Sequence, residues 1–155
     1  MNTDELNTIG RKIIGPKFKG TFSAHHPTLR KLFLNMRKSK FCVILNTDSA
    51  KYKGQHWIAI YVDRTRKKCY VFDSYGHSPD FFHQDWKYLT KNLDSAVWHN
   101  KKRVQFAEDT CGLHCLYFLH FAVFSKLKPS RIVNNMSDAS IVQWFRKNNV
   151  AFSNQ

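Results

Sequence analysis

Apolar positions recur at helical spacing at the start of the chain. Leu6, Ile9 and Ile13 fall on one face of a helix predicted over residues 3–13, with Thr3 as its cap and Gly15-Pro16 as its stop. Residues 15–30 read as loop, punctuated by Gly20 and His26-Pro27. The pattern then shortens. Residues 41–45 form a compact apolar run that predicts a buried strand. Residues 56–63 and 68–73 predict two more, joined as a hairpin by the charged turn between them. Tyr75-Gly76-His77-Ser78-Pro79 reads as loop, and residues 80–93 as a helix through Phe82, Trp86 and Leu89. Residues 96–105 hold one or two short basic strands. Residues 111–125 are apolar on nearly every side, the mark of a helix wrapped by the rest of a domain. A last helix is predicted over residues 138–147, with Ile141, Trp144 and Phe145 facing inward. A helix, then strands, then a buried helix predicts an α+β domain with an antiparallel or mixed sheet packed on the central helix.

Composition narrows this picture. The 155 residues suit a single domain over 1–155, and 13 Phe, 6 Tyr and 4 Trp are enough for one core, which excludes wholesale disorder. The amino terminus is polar and acidic and reads as no secretory leader. The most apolar run, residues 113–124, is too short to cross a bilayer and contains His114 and His120. A protein that is soluble, not secreted and not bound to membrane is expected. Cys42, Cys69, Cys111 and Cys115 fit no zinc spacing, so no metal is expected; Cys42, Cys69 and Cys115 read as core thiols of a reducing compartment.

Charge adds a partner class. The formal net charge is +14. Basic residues cluster at Arg30-Lys31, at Arg37, Lys38 and Lys40, at Lys51 and Lys53, at Arg64, Arg66, Lys67 and Lys68, and at Lys101, Lys102 and Arg103. Such an excess favours a polyanion, most often nucleic acid, through phosphate contacts. No helix-turn-helix, finger or RNP signature accompanies it, so the expected binding is non-specific.

Three features carry chemistry. With the hairpin turn centred between Arg64 and Thr65, Trp57 faces Phe72, Ala59 faces Tyr70 and His56 faces Asp73. Opposed residues have Cβ atoms about 5 Å apart on one face, so a carboxylate could orient the imidazole. Alone, such a pair serves structure more often than catalysis. Cys111 stands where the buried helix begins, with Asp109 and Thr110 as candidate caps, and a helix N-terminus favours a thiolate. Gly112 beside it would leave room for a substrate carbonyl. Gln105, six residues earlier, could donate to an oxyanion, though singly it reads as a surface glutamine. Together they make a nucleophile, a base, an orienter and an oxyanion donor. The other histidines read as structural or solvated.

With these residues in place the sequence resembles the adenain family, the adenovirus-type cysteine endopeptidases, over most of its length. Gly15 to Phe22 is similar to the family's GPxFxGT(Y/F) segment, and Leu45-Asn46-Thr47 to the strand end before its histidine. Gly54-Gln55-His56-Trp57 matches GxHW, and Lys68 to Asp73 matches the strand ending in the acid, Asp here where the best-known members have Glu. Cys111-Gly112-Leu113-His114-Cys115 with Phe118-Leu119-His120 resembles the CGLxC…FLH helix. The resemblance implies a papain-like α+β fold with Cys111 as nucleophile, His56 as base, Asp73 as orienter and Gln105 in the oxyanion hole, with Trp57 and Gly112 next to substrate. It also implies cleavage of viral precursor proteins at glycine-rich sites during virion maturation, by a monomer of the virion and host nucleus. DNA and a peptide from a capsid precursor would stimulate it. Residues 96–103 lack the cysteine that tethers that peptide in well-known members, so a non-covalent activator is expected. Two other readings stay open: a protease for ubiquitin-like modifiers, which shares the HW…D…Q…CG order, and an inactive protease scaffold that binds nucleic acid in the virion.

Overall fold

The computed structural model describes residues 1–23, 31–32, 40–47, 56–79 and 97–153. The helix expected over residues 80–93 and the candidate DNA contacts Arg37 and Lys38 lie outside them. The first helix, α1 (Thr3–Ile13), buries Leu6 and Ile9 as its apolar spacing requires. Its cap is Asn2 rather than Thr3: the Asn2 side chain accepts from the Glu5 N–H at 2.8 Å. Asp4 and Glu5 in its first turn and Arg11 and Lys12 in its last complement the helix dipole.

Five strands form one mixed sheet in chain order: β1 (Phe18–Ser23), β2 (Lys40–Asn46), β3 (Trp57–Asp63), β4 (Lys68–Phe72) and β5 (Val97–His99). β1 and β5 run parallel to their neighbours, while β2, β3 and β4 are antiparallel. β1 corrects the loop expected over residues 15–30. Its Lys19 and Gly20 obscure a strand at the sheet's edge, where the register shifts between Phe18 and Thr21.

The β3–β4 register also differs from expectation. Ala59 faces Phe72 and Tyr61 faces Tyr70, two residues from the pairing drawn from a turn at Arg64-Thr65. The turn holds four residues. Lys67 adopts φ 51°, and the Asp63 carboxylate accepts from the Arg66 N–H at 3.1 Å. A shift of two keeps every side chain on its face, so the grouping of residues survives the changed register.

The sheet is apolar on both sides. Trp57, Ala59 and Tyr61 with Cys42, Ile44 and Phe72 face the helices. Phe41, Val43, Leu45, Ile58, Ile60, Val62, Cys69 and Val71 form a second cluster. β3 is buried along its whole length, as the centre strand of such a sheet must be.

Against the first face lies α2 (Cys111–Phe124), buried from Cys111 through Leu119. Phe118 stacks on Phe72 at 4.8 Å between ring centroids. α1, α3 (Pro129–Asn134) and α4 (Asp138–Lys147) pack around it. Ile141 and Phe145 of α4 are buried as expected, while Trp144 is only half-buried. The last turn of α2 emerges, leaving Phe124 exposed. His120 donates from Nδ1 to the Ile13 carbonyl at 2.7 Å, fixing the end of α1 to α2.

Candidate active site

His56, Asp73 and Cys111 meet at one end of the sheet. The Thr47 N–H donates to the His56 carbonyl at 3.0 Å, extending the β2–β3 ladder one residue past the strand and fixing the histidine backbone. His56 Nε2 donates to Asp73 Oδ1 at 2.6 Å, and both side chains are buried. The Cys111 thiol lies in hydrogen-bonding contact with the same ring. Since Nε2 is engaged by Asp73, Nδ1 is the nitrogen left for the sulfur. Tyr75 covers the imidazole, stacked at 4.8 Å and 22°. Tyr75 comes from the turn that follows β4.

Burial is the largest single influence on His56 and acts to lower its pKa. The hydrogen bonds to Asp73 and Cys111, with their charges, together outweigh it and push the pKa from 6.5 up to about 9. The other three cysteines contrast in setting. Burial alone drives Cys69 up to about 12, and it takes Cys42 to about 12 against the pull of Lys19 and Lys17. Cys115, fully buried, is also raised well above its ordinary value, and its S–H donates to the Trp57 carbonyl at 3.3 Å. These are packing thiols.

Asp73 is saturated with partners. Oδ1 also accepts from the Tyr75 N–H at 3.1 Å, and Oδ2 accepts from the His77 N–H at 3.1 Å, with the His77 ring Nδ1 at the same distance. Asn100 clamps its backbone, accepting from the Asp73 N–H at 3.0 Å and donating to the Asp73 carbonyl at 2.6 Å. A primary amide can do both at once. Asn100 arrives through the parallel pairing of β5 with β4, which sets His99 beside Val71.

Gln105 is fully buried rather than on the surface. Its Oε1 accepts from Ser74 Oγ at 2.5 Å, and its Nε2 donates to the Ala107 carbonyl at 2.8 Å. The backbone N–H groups of Val104 and Gln105 both reach the Ser74 carbonyl, at 2.9 and 3.0 Å. The residue after the acid thus fixes the glutamine. Ala107 O also accepts from Thr110 Oγ1 at 3.4 Å, linking Gln105 to the residue before Cys111.

Four sequence expectations meet the structure here. Thr110 is the N-cap of α2 but makes no side-chain cap bond, and Asp109 sits at φ 60°. Trp57, expected next to substrate, is buried in the core. A Cβ on Gly112 would come 2.9 Å from Leu6 Cδ2 and 3.1 Å from Met1 Sδ, so this glycine makes room for Leu6 of α1 and for Met1. Arg103, expected on DNA, lies over the rings of Tyr75 and Phe106 at 4.8 and 5.0 Å and donates from Nε to the Gln105 carbonyl at 2.7 Å. Arg66, Lys67, Lys68, Lys101 and Lys102 are exposed, and Lys40 and Arg64 are half-buried. Ser74, Tyr75 and His77 carried no sequence signal beyond loop character, and Asn100 none beyond a short basic strand.

A cysteine opening a buried helix, set against a histidine and an aspartate from a mixed sheet, defines an α+β fold of the cysteine-protease kind. The chain belongs to the adenovirus endoprotease family, whose profile matches residues 18–144. It is 30% identical over 145 residues to the protease of porcine adenovirus A serotype 3, covering 85% of this chain and 68% of that one. It is 30% identical over 139 residues to the protease of human adenovirus B serotype 3, covering 81% and 64%. With the protease of human adenovirus A serotype 12 the identity is 32% over 130 residues, covering 75% and 61%. The chain therefore spans about two thirds of the length of these relatives. Among solved structures, the ASFV protease superposes with a TM-score of 0.64 at 17% identity over 98% of this chain and 67% of that one. The SUMO protease Ulp1 superposes at 0.54 with 13% identity over 91% and 78%.

Proposed function

We propose that the protein is a viral cysteine endopeptidase that cuts virion precursor proteins at glycine-rich sites during maturation. The buried 2.6 Å bond between His56 and Asp73, with Cys111 on the other side of the ring, carries this reading. Cys111 passes its proton to His56 and attacks the scissile carbonyl carbon; the carbonyl electron pair moves onto oxygen. Gln105 Nε2 and the backbone N–H of Cys111 hold that oxyanion. His56 then protonates the leaving amine as the C–N bond breaks. Water, deprotonated by His56, attacks the acyl carbon and the thiolate leaves. Asp73 keeps the ring oriented and stabilises the imidazolium throughout.

The reading extends to control. A net charge of +14 supports non-specific DNA binding that raises activity. Family membership supports a short peptide activator from a capsid precursor, held without a disulfide because residues 96–103 contain no cysteine. The proposed enzyme acts as a monomer in the virion and the host nucleus. Among the described residues no helix is long and apolar enough to cross a membrane, and no side-chain group could hold a metal ion.

The test is hydrolysis of a fluorogenic Leu-x-Gly-Gly peptide by wild type and Cys111→Ala, with and without duplex DNA at low salt. Turnover that disappears in Cys111→Ala and rises with DNA supports the reading; turnover unchanged in Cys111→Ala overturns it. The likeness to Ulp1 favours a second reading, processing of a ubiquitin-like modifier. Cleavage of a modifier fusion with no cleavage of the peptide would select it.

A further inference from the structure

The segment between Gln105 and Cys111 joins the proposed oxyanion donor to the proposed nucleophile. It has no helix or strand, and residues 106–109 are exposed, Phe106 at 73%. Such a stretch has few contacts of its own to hold it within the tolerance that an oxyanion hole requires. One carboxylate from elsewhere in the fold holds it at both ends. Asp138, the first residue of α4, accepts through Oδ2 from two successive backbone N–H groups, Phe106 at 2.8 Å and Ala107 at 2.9 Å. Its Oδ1 accepts from Thr110 Oγ1 at 3.4 Å and lies 3.3 Å from Nε2 of fully buried His114. His114 is on α2 one turn beyond Cys111 and donates from Nδ1 to the Thr110 carbonyl at 2.7 Å.

The geometry points to Asp138 as a positioning residue for the oxyanion hole, acting through the Phe106-Ala107 backbone on Gln105. The Ala107 N–H is fixed by Asp138 while the Ala107 carbonyl accepts from Gln105 Nε2, so the carboxylate sets the orientation of the glutamine amide. Bonds to a carboxylate are roughly twice as strong as neutral ones, which suits a holder for an exposed loop. Asp138 also stands at the N-terminus of α4, where any acid complements the helix dipole. That role alone would leave turnover untouched, which makes the two separable.

This inference rests on the proposed protease reading. Four proteins are compared for peptide hydrolysis and thermal stability: wild type, Asp138→Ala, Asp138→Asn and Ser137→Ala. Ser137→Ala removes the cap bond from the Ser140 N–H, 3.1 Å long, and leaves the loop alone. Displacing a catalytic group by about 1 Å costs about 100-fold. Asp138→Ala is therefore expected to lower kcat roughly 10- to 100-fold with KM within about twofold. Asp138→Asn, which keeps a carbonyl oxygen for both N–H groups, recovers most of that loss. Ser137→Ala lowers Tm and leaves kcat at the wild-type value. Equal kcat in wild type and Asp138→Ala, no recovery in Asp138→Asn, or an equal loss in Ser137→Ala overturns the positioning role. A wild type without Cys111-dependent turnover overturns the protease reading and the positioning role with it.

Discussion

His56 sits between opposing influences, burial against its bonds to Asp73 and Cys111, and the second set prevails to hold its pKa at about 9. A histidine raised above its unfolded value of about 6.5 contributes stability that is fully present below about pH 6.5 and is lost as the pH climbs through about 9. The same titration removes the proton meant for the leaving amine, so kcat/KM is expected to fall on an alkaline limb near pH 9. Asp73→Asn deletes the charge and leaves the burial, and its alkaline limb should move toward neutrality; identical limbs in the two proteins would deny Asp73 its part. The four residues proposed to react stood out in the sequence through their combination, since each alone had an ordinary structural reading. Their supports did not stand out. Asn100 lies 27 residues from Asp73 in a basic stretch, and only the β4–β5 pairing brings it to that backbone.

Elements place these residues through close packing, and two glycines show how differently. Gly76 adopts φ 77°, and a Cβ there would meet Lys101 O at 2.6 Å and Lys102 C at 2.9 Å, all rigid backbone. Gly112 lies in a helix, and the atoms nearest its Cβ would be side-chain atoms of Leu6 and Met1. Gly76→Ala is expected to cost roughly 2–4 kcal/mol, from overpacking together with left-handed strain. Tm should then drop by about 5–15 °C, with loss of activity as the Asp73 loop leaves the 101–103 backbone. In Gly112→Ala the small clash offsets a helix-propensity gain of about 1 kcal/mol, and Tm should stay within about 3 °C. A thermal melt of each protein checks both. Patterning revealed α1, β2, β3, β4, α2 and α4 because each has a clear period or a long apolar run. It missed β1, whose Gly and Lys residues imitate a loop, and α3, whose six residues are too few to show a period.

Over the whole molecule, charge and reactivity are divided along the β3–β4 hairpin. Its turn carries Arg64, Arg66 and Lys67, with Lys68 opening β4 beside them, while His56 and Asp73 lie at the other end, roughly 20 Å away for strands of this length. Lys101 and Lys102 stand at the site end. Converting Arg66, Lys67 and Lys68 to Gln should flatten the salt dependence of DNA binding by about 0.9 per lost phosphate contact and leave DNA-free peptide turnover unchanged. An unaltered slope in a binding titration would remove the turn from the DNA footprint. Net charge was plain from composition; its distribution needed the register. The Phe72–Phe118 stack has a wider meaning. It joins the hairpin bearing the acid to the helix bearing the sulfur, and these come from distant stretches of chain. A polypeptide made only as far as the hairpin owns His56 and Asp73 but lacks the Cys111 sulfur. For a protein proposed to cut others, the capacity to digest arrives only once synthesis has gone beyond Cys111 and its helix has docked on the hairpin.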